Sequence, residues 1–202
     1  LFAAAVFLVA AFFVLVPRQE DALAVAKIET LIGHGTGFAI SRRYVITNRH
    51  VVGSAGRVTV RFGRLTLSGE VVYRSKTIDM AVIRVKAAPH WLPLACDSGN
   101  MIGRQVRVIG YPSQLGLQIT RGWTTGWYRG HLMLTAQILP GSSGSPVLHR
   151  GRVVGLIFAG IGTRIGFGTF IPHGFNLAVK ISRVCGELRK HNFIRWDRHY
   201  AA

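Results

Sequence analysis

Carboxylates are scarce in this chain of 202 residues: Asp and Glu together number eight, against 25 Lys and Arg. A formal charge of +17 follows, with lysine supplying only five of the basic residues and arginine the rest. Such a balance suits nucleic acid, anionic lipid or acidic substrates. The basic residues are scattered and never form a long run, so an arginine-rich composition with a diffuse positive field accounts for them. No specific nucleic-acid partner is expected. Cysteine is rarer still. Cys96 and Cys185 stand far apart, without C-x-x-C or Cys/His spacing, which argues against zinc; no metal and no cofactor is expected. A bond between them is permitted if the domain is exported, and two unpaired buried thiols fit the sequence equally well. Helical periodicity and internal repeats are also missing from most of the chain. What is abundant is apolar residues, at 49%, and 24 glycines, which together argue for a folded, turn-rich β protein of one compact domain or two small fused ones.

Residues 1–16, "LFAAAVFLVAAFFVLV", carry no polar group, and "PRQED" follows at once. A helix of that length reaches about 24 Å, short of the ~30 Å hydrocarbon core, and a few residues upstream of Leu1 would close the gap. The competing reading is the apolar region of a cleaved signal peptide, with "ALAVA" at 22–26 offering the small-residue site. The charged "PRQED" between them is unlike a cleavage region, so a transmembrane or signal-anchor helix over 1–20 is expected, contacting the membrane.

From residue 24 onward, short apolar runs with period-two character are punctuated by Gly, Pro, Ser and Asn. They include "GTGFAIS", "RYVITN", "RVTVRF", "DMAVIRV", "QVRVIGY", "HLMLTAQI" and "RVVGLIF". A Pro- and Gly-containing break at 89–100, "PHWLPLACDSGN", divides them into two similar groups. Only "SRVCGELRKHNF" reads as a helix, with Val184, Leu188 and Phe193 to one side. Two small antiparallel β-barrels, a linker and a terminal helix are the expected architecture. "RGWTTGWYRG" (121–130) interleaves Trp123, Trp127 and Tyr128 with Arg121 and Arg129, the pattern of a single-stranded nucleic-acid platform. It is read instead as a strand pair of the second barrel.

The densest local signal is "GSSGSP", residues 141–146. Glycines there permit backbone conformations that aim N–H groups at a developing oxyanion, and small neighbours leave room for a carbonyl. A serine is a weak nucleophile alone and needs a base and an orienting acid. His50 closes the apolar strand "YVITNRH", a setting that His34, His90, His149, His191 and His199 lack. Between residues 30 and 180 only Glu70, Asp79 and Asp97 carry carboxylates. Asp79 directly precedes "MAVIRV", where it can be part-buried beside a base. His50, Asp79, Ser143 is one of the chain orders in which this triad recurs.

The blocks "GTGFAISRRYVITNRHVV", "DMAVIRV", "LPLACDSGNMIGRQVRVIGYPSQLGLQITRG", "AQILPGSSGSPVL" and "VVGLIF" resemble successive motifs of HtrA/Deg-type, trypsin-like serine peptidases, over residues 27–185. The resemblance implies a mainly β fold of two six-stranded antiparallel barrels with a C-terminal helix and the active site between the barrels. The expected units are 1–20 for the membrane segment, 24–95 for the first barrel, and 96–202 for the second barrel, terminal helix and tail. Carried over residue by residue, His50 is the general base, Asp79 its orienting acid, Ser143 the nucleophile, and the N–H groups of Gly141 and Ser143 the oxyanion hole. Protein or peptide substrates follow.

Ser145 stands where the family usually has a second glycine, and no PDZ domain is expected after the peptidase unit. Gln137 occupies the position at which trypsin needs an aspartate for Arg or Lys. "GLIFAG" lacks the histidine of glutamate-specific viral relatives. An apolar P1 residue is expected, with Gln137, Ile138, Leu139, Leu156 and Phe158 as the substrate-binding set and a glycine-rich hairpin over 159–174 beside the pocket. In the trypsin-like fold the linker crosses the molecule near the terminal helix, and some relatives join the two by a disulfide, which implies a Cys96–Cys185 bond in an exported domain. A membrane-anchored, extracytoplasmic endopeptidase is the main expectation. The alternative is a catalytically silent double barrel that binds peptide or an anionic partner.

Overall fold

The computed structural model describes residues 19–113, 115–165 and 169–194. The apolar stretch 1–16, and the anchor helix expected there, lie outside the described residues. Among the described residues no helix is long and apolar enough to cross a membrane.

Six strands close the first barrel: β1 (Val25–Thr30), β2 (Gly33–Ala39), β3 (Tyr44–Thr47), β4 (Arg57–Phe62), β5 (Leu65–Arg74) and β6 (Ala81–Arg84), in the order β1-β2-β3-β6-β5-β4. Alternation sets the faces. In "RVTVRF", Val58, Val60 and Phe62 turn inward while Arg57 and Arg61 face water. The second barrel closes as β10-β11-β12-β9-β8-β7, from β7 (Gln105–Gly110), β8 (Gln118–Tyr128), β9 (His131–Leu134), β10 (Pro146–His149), β11 (Arg152–Ile165) and β12 (Thr169–Lys180). "RGWTTGWYRG", expected as a strand pair, is one strand and its turn: most of β8 and the loop that leads into β9. Its two-residue loop, Arg129 at φ 48° and Gly130 at φ 77°, has the positive dihedrals of the turns whose twist matches paired strands. The glycine-rich 159–174 stretch extends the β11–β12 hairpin, paired out to Ile165↔Thr169.

Three short helices complete the described residues: α1 (Gln19–Leu23), α2 (Arg49–Val52) and α3 (Ile181–Lys190). Ile181, Val184, Cys185 and Leu188 on α3 are buried, the i, i+3, i+4, i+7 stripe of a helix laid on a core. Phe193 lies past the helix end, edge-on to Tyr44 with ring centres 5.2 Å apart. One apolar cluster joins Phe38 and Ile46 of the first barrel, Leu148 and Val153 of the second, Leu92 and Leu94 of the connection, and α3. The barrels are therefore packed on shared interior, which fixes the cleft between them. The connection is stapled to α3 by a disulfide between Cys96 and Cys185, with Cα atoms 5.8 Å apart.

Candidate active site

His50 sits on α2, the single turn that β3 enters through Asn48, and Asp79 precedes β6, the neighbour of β3 in the barrel. Strand pairing thus brings residues 29 positions apart side by side: the Thr47↔Ala81 register sets Asp79 opposite the start of α2. Both carboxylate oxygens of Asp79 engage His50. Oδ2 lies 2.6 Å from Nδ1, and Oδ1 accepts the His50 backbone N–H at 3.0 Å. Asn48 Nδ2 donates to the Asp79 carbonyl at 2.8 Å. Burial pushes the Asp79 carboxyl up, but the hydrogen bonds from the His50 ring and backbone, with the charges of His50 and Arg49, outweigh it and hold the group below the usual carboxylate range. Oδ2 therefore calls for the proton of the imidazole on Nδ1 and leaves Nε2 as the free, basic nitrogen. The His50 side chain is half exposed.

The loop ahead of Asp79 is held from behind by α3. Glu187 accepts hydrogen bonds from Tyr73 Oη (2.5 Å), Ser75 Oγ (2.7 Å) and Thr77 Oγ1 (3.2 Å). Ser75 Oγ in turn accepts the N–H groups of Thr77 and Ile78. Arg49 Nη1 donates to the Ser75 carbonyl at 2.8 Å, so the histidine helix and the aspartate loop are also tied directly.

"LPGSSGSP" supplies the other half. Leu139–Ser142 is a turn closed by the Ser142 N–H on the Leu139 carbonyl at 3.0 Å. Pro140 takes its second position and Gly141, at φ 94°, its third, the residue types that a type II turn demands. Among the described residues the N–H groups of Gly141, within this turn, and Ser143, just after it, have no acceptor. Gly144 follows at φ 89°, where a Cβ would meet the Thr36 carbonyl oxygen at 1.9 Å. Only glycine allows the second barrel to approach the first so closely. Ser142 and Ser145 are buried, at 4% and 0% exposure, whereas Ser143 is only partly so.

Thr36, which no local sequence signal marks, rivets the two halves. Its N–H donates to the Ser143 carbonyl (2.8 Å), its Oγ1 donates to the Gly141 carbonyl (2.8 Å) and accepts the Tyr111 N–H (2.9 Å). Gly35 brings the histidine side in as well. A Cβ there would meet both the Val51 side chain, next to His50, at 2.7 Å and the Ser143 carbonyl at 3.1 Å. The structure therefore gathers His50, Asp79, Gly141 and Ser143 at the seam between barrels.

The residues expected to bind substrate separate. Gln137, Ile138 and Leu139 lead into the turn, and with Val108, Thr120 and Ser142 they line a cavity of about 290 Å³ on their β7–β8 side. Leu156 is fully buried in the shared core and reaches no cleft, because its place in β11 points it at the interior. Phe158 is half-buried against His131, ring centres 4.5 Å apart. Burial, and then the charge of Arg183, lowers the His131 pKa and favours its neutral form. Asn176 on β12, unmarked by the sequence pattern, donates to the Ala136 carbonyl at 2.7 Å and stands beside Gly160. Among the described residues no group of His, Cys, Asp and Glu is arranged to hold a metal.

The family model described as "Trypsin-like peptidase domain" matches residues 35–156. A protein of Chlamydia trachomatis named "Probable periplasmic serine endoprotease DegP-like" is 33% identical in an alignment of 173 residues that covers 77% of this chain and 33% of that protein. The chain thus spans about a third of the length of the curated relatives it matches first. The crystal structure of Rv3671c from M. tuberculosis, a serine-to-alanine mutant in an inactive form, superimposes with TM-score 0.72 at 26% identity, over 88% of this chain and 90% of that one. The serine endoprotease from Yersinia pestis shares the fold at TM-score 0.73 and 24% identity, over 86% of this chain and 64% of that one. Two closed six-stranded barrels meeting at a histidine–aspartate pair and a glycine–serine turn, together with a family match that spans both, make this chain a member of the trypsin-like peptidase domain family, similar to proteases of the HtrA/DegP type.

Proposed function

We propose that the protein is a serine endopeptidase in which His50, Asp79 and Ser143 form the catalytic triad. The observation that carries this reading is the Asp79 carboxylate engaged at once by Nδ1 and the backbone N–H of His50, at 2.6 and 3.0 Å. It leaves Nε2 to take the Ser143 Oγ proton as Oγ attacks the scissile carbonyl. The N–H groups of Gly141 and Ser143 receive the oxyanion of the tetrahedral intermediate. Collapse to the acyl-enzyme passes the proton from Nε2 to the leaving amine, and water then reverses the sequence.

The walls beside the turn support an uncharged, apolar P1 residue. Gln137, Ile138 and Leu139 on one side and Phe158 and Asn176 on the other bring no charge that would pair with Arg, Lys, Asp or Glu. The apolar stretch 1–16 supports tethering to a membrane. The Cys96–Cys185 bond and the relatives named as periplasmic support a compartment outside the cytoplasm.

Fluorophosphonate labelling followed by mapping of the modified residue tests the triad. Ser143→Ala is expected to abolish labelling and peptide cleavage. Ser142→Ala and Ser145→Ala remove buried hydroxyls and are expected to leave substantial activity. Labelling that survives Ser143→Ala refutes the assignment, and a peptide library cleaved mainly after charged residues refutes the pocket.

A further inference from the structure

We propose that the outer face of the β7–β8 strand pair is seated against an anionic membrane surface, so that the domain is held in a fixed orientation on the bilayer. The inference rests on the reading that residues 1–16 tether the chain. It begins with register. Gln105↔Trp123, Arg107↔Arg121 and Ile109↔Ile119 are direct partners, so their side chains share one face of the sheet. Val106 and Val108, 1% and 3% exposed, occupy the other face, inside the barrel. The shared face is therefore the outer one, covered at its Ile109 end, where Ile109 is 0% exposed in the cluster that joins the barrels, and open toward Arg121 and Trp123.

On that face Arg107 is committed to Asp21 of α1, at 2.6 Å, which pins the start of the described chain to β7. The β8 row beside it is uncovered. Trp123 is 54% exposed, Ile119 42%, and Arg121 between them is exposed. Leu23, two residues after Asp21, is 57% exposed. An outward Trp and Ile flanking a guanidinium that has no partner among the described residues serve no interior. They are the side chains that settle at the boundary of hydrocarbon and headgroups, with arginine on lipid phosphate. The net charge of +17 adds attraction to an anionic leaflet.

The length of the connection keeps this face near the bilayer. Asp21 lies five positions after Val16, the end of the apolar stretch, and a fully extended chain covers at most about 3.6 Å per position, or about 18 Å. With Val16 at the hydrocarbon edge, Asp21 and the Arg107 it pairs with lie within about that distance of it, two to three times the ~5–8 Å depth of one headgroup layer. The "RGWTTGWYRG" aromatics thus divide: Trp127 and Tyr128 are engaged within the fold by Lys180 and Arg129, while Trp123 remains for the bilayer, beside Ile119.

The test uses the full chain reconstituted into phosphatidylcholine–phosphatidylglycerol vesicles carrying a headgroup-region spin label. Flotation reports the tether, and quenching of tryptophan fluorescence reports the face. The protein is expected to float and to be quenched, and Trp123→Phe, which keeps the other three tryptophans, is expected to float but lose most of that quenching. Arg121→Glu, or vesicles of phosphatidylcholine alone, is expected to reduce it. Flotation with quenching unchanged in Trp123→Phe overturns the docked face and leaves the tether standing. Failure to float overturns the tether and the docked face with it. Sedimentation showing a dimer that Trp123→Phe dissociates assigns the face to a second copy of the chain and overturns the lipid proposal.

Discussion

Replacing Asp79 by Asn changes one oxygen to an amide and isolates what the carboxylate does. Asp79 presents an acceptor to Nδ1 of His50 at 2.6 Å and a second to its backbone N–H at 3.0 Å. Asparagine has one acceptor and one donor group. With its oxygen on the backbone N–H, its NH2 faces Nδ1, and the ring must then carry its proton on Nε2, where it cannot accept the proton of Ser143. With the amide reversed, NH2 meets the His50 N–H, donor against donor, and the α2 turn is left unsatisfied. The first arrangement is the lower in energy and gives the wrong tautomer. The expected loss is about 10⁴ in kcat near neutral pH, equivalent to about 5.4 kcal/mol at 1.36 kcal/mol per tenfold. The fold is expected to survive, because the side chain is partly solvated and losing a charge-assisted pair costs about 1–3 kcal/mol. The sign of the pH effect is fixed by the depressed folded pKa. Its stabilisation is complete above the ordinary value and disappears as pH falls below about 3.8 through the folded value, so the stability gap between wild type and variant should close on acidification. Active-site-titrated kinetics on an apolar-P1 peptide, with urea unfolding in parallel, measures both. A variant that folds and keeps kcat within tenfold of wild type refutes the reasoning, and so does a Glu70 or Asp97 variant that is inactive while Asp79→Asn is not.

Three further outcomes are expected. Gly144→Ala should destabilise the protein by at least about 2 kcal/mol in urea, since its Cβ would lie 1.9 Å from the Thr36 carbonyl at φ 89°; Gly151→Ala, at φ 77° in open space, should cost no more than about 1–2 kcal/mol. Reducing Cys96–Cys185, which closes a loop of 89 residues, should lower unfolding stability by up to about 4–5 kcal/mol in the chain-entropy account; an unchanged urea midpoint in dithiothreitol contradicts it. Hydrogen bonds from Tyr73 and then Ser75 hold Glu187 below its ordinary 4.5, so its contribution is present above that value and lost as pH falls through the lowered one. Glu187→Gln should therefore be less stable than wild type at neutral pH and lose less on acidification, as followed by thermal melts from pH 7 to pH 3.

The strands were legible because a half-buried strand writes its two faces into alternate residues, as "RVTVRF" does, and α3 was legible from its apolar stripe. The Leu139–Ser142 turn was equally local: Pro and Gly at adjacent positions leave few backbone choices. His50, Asp79 and Ser143 could be singled out by residue type and setting, Asp79 largely because so few carboxylates compete with it. What needed the tertiary structure are the residues that act across the fold. Thr36 grips Gly141 from 105 positions away, Glu187 steadies Ser75 from 112, and Asn176 reaches Ala136 from 40. Leu156 shows the converse, since its place in "GLIF" suggested a pocket wall and packing put it in the core. The two cysteines fitted a bond or free thiols equally well until the closed barrels brought their Cα atoms to 5.8 Å. Local patterning constrains neighbours in the chain through shared backbone geometry, whereas a contact between distant residues exists only once the core has packed and set the distance between them.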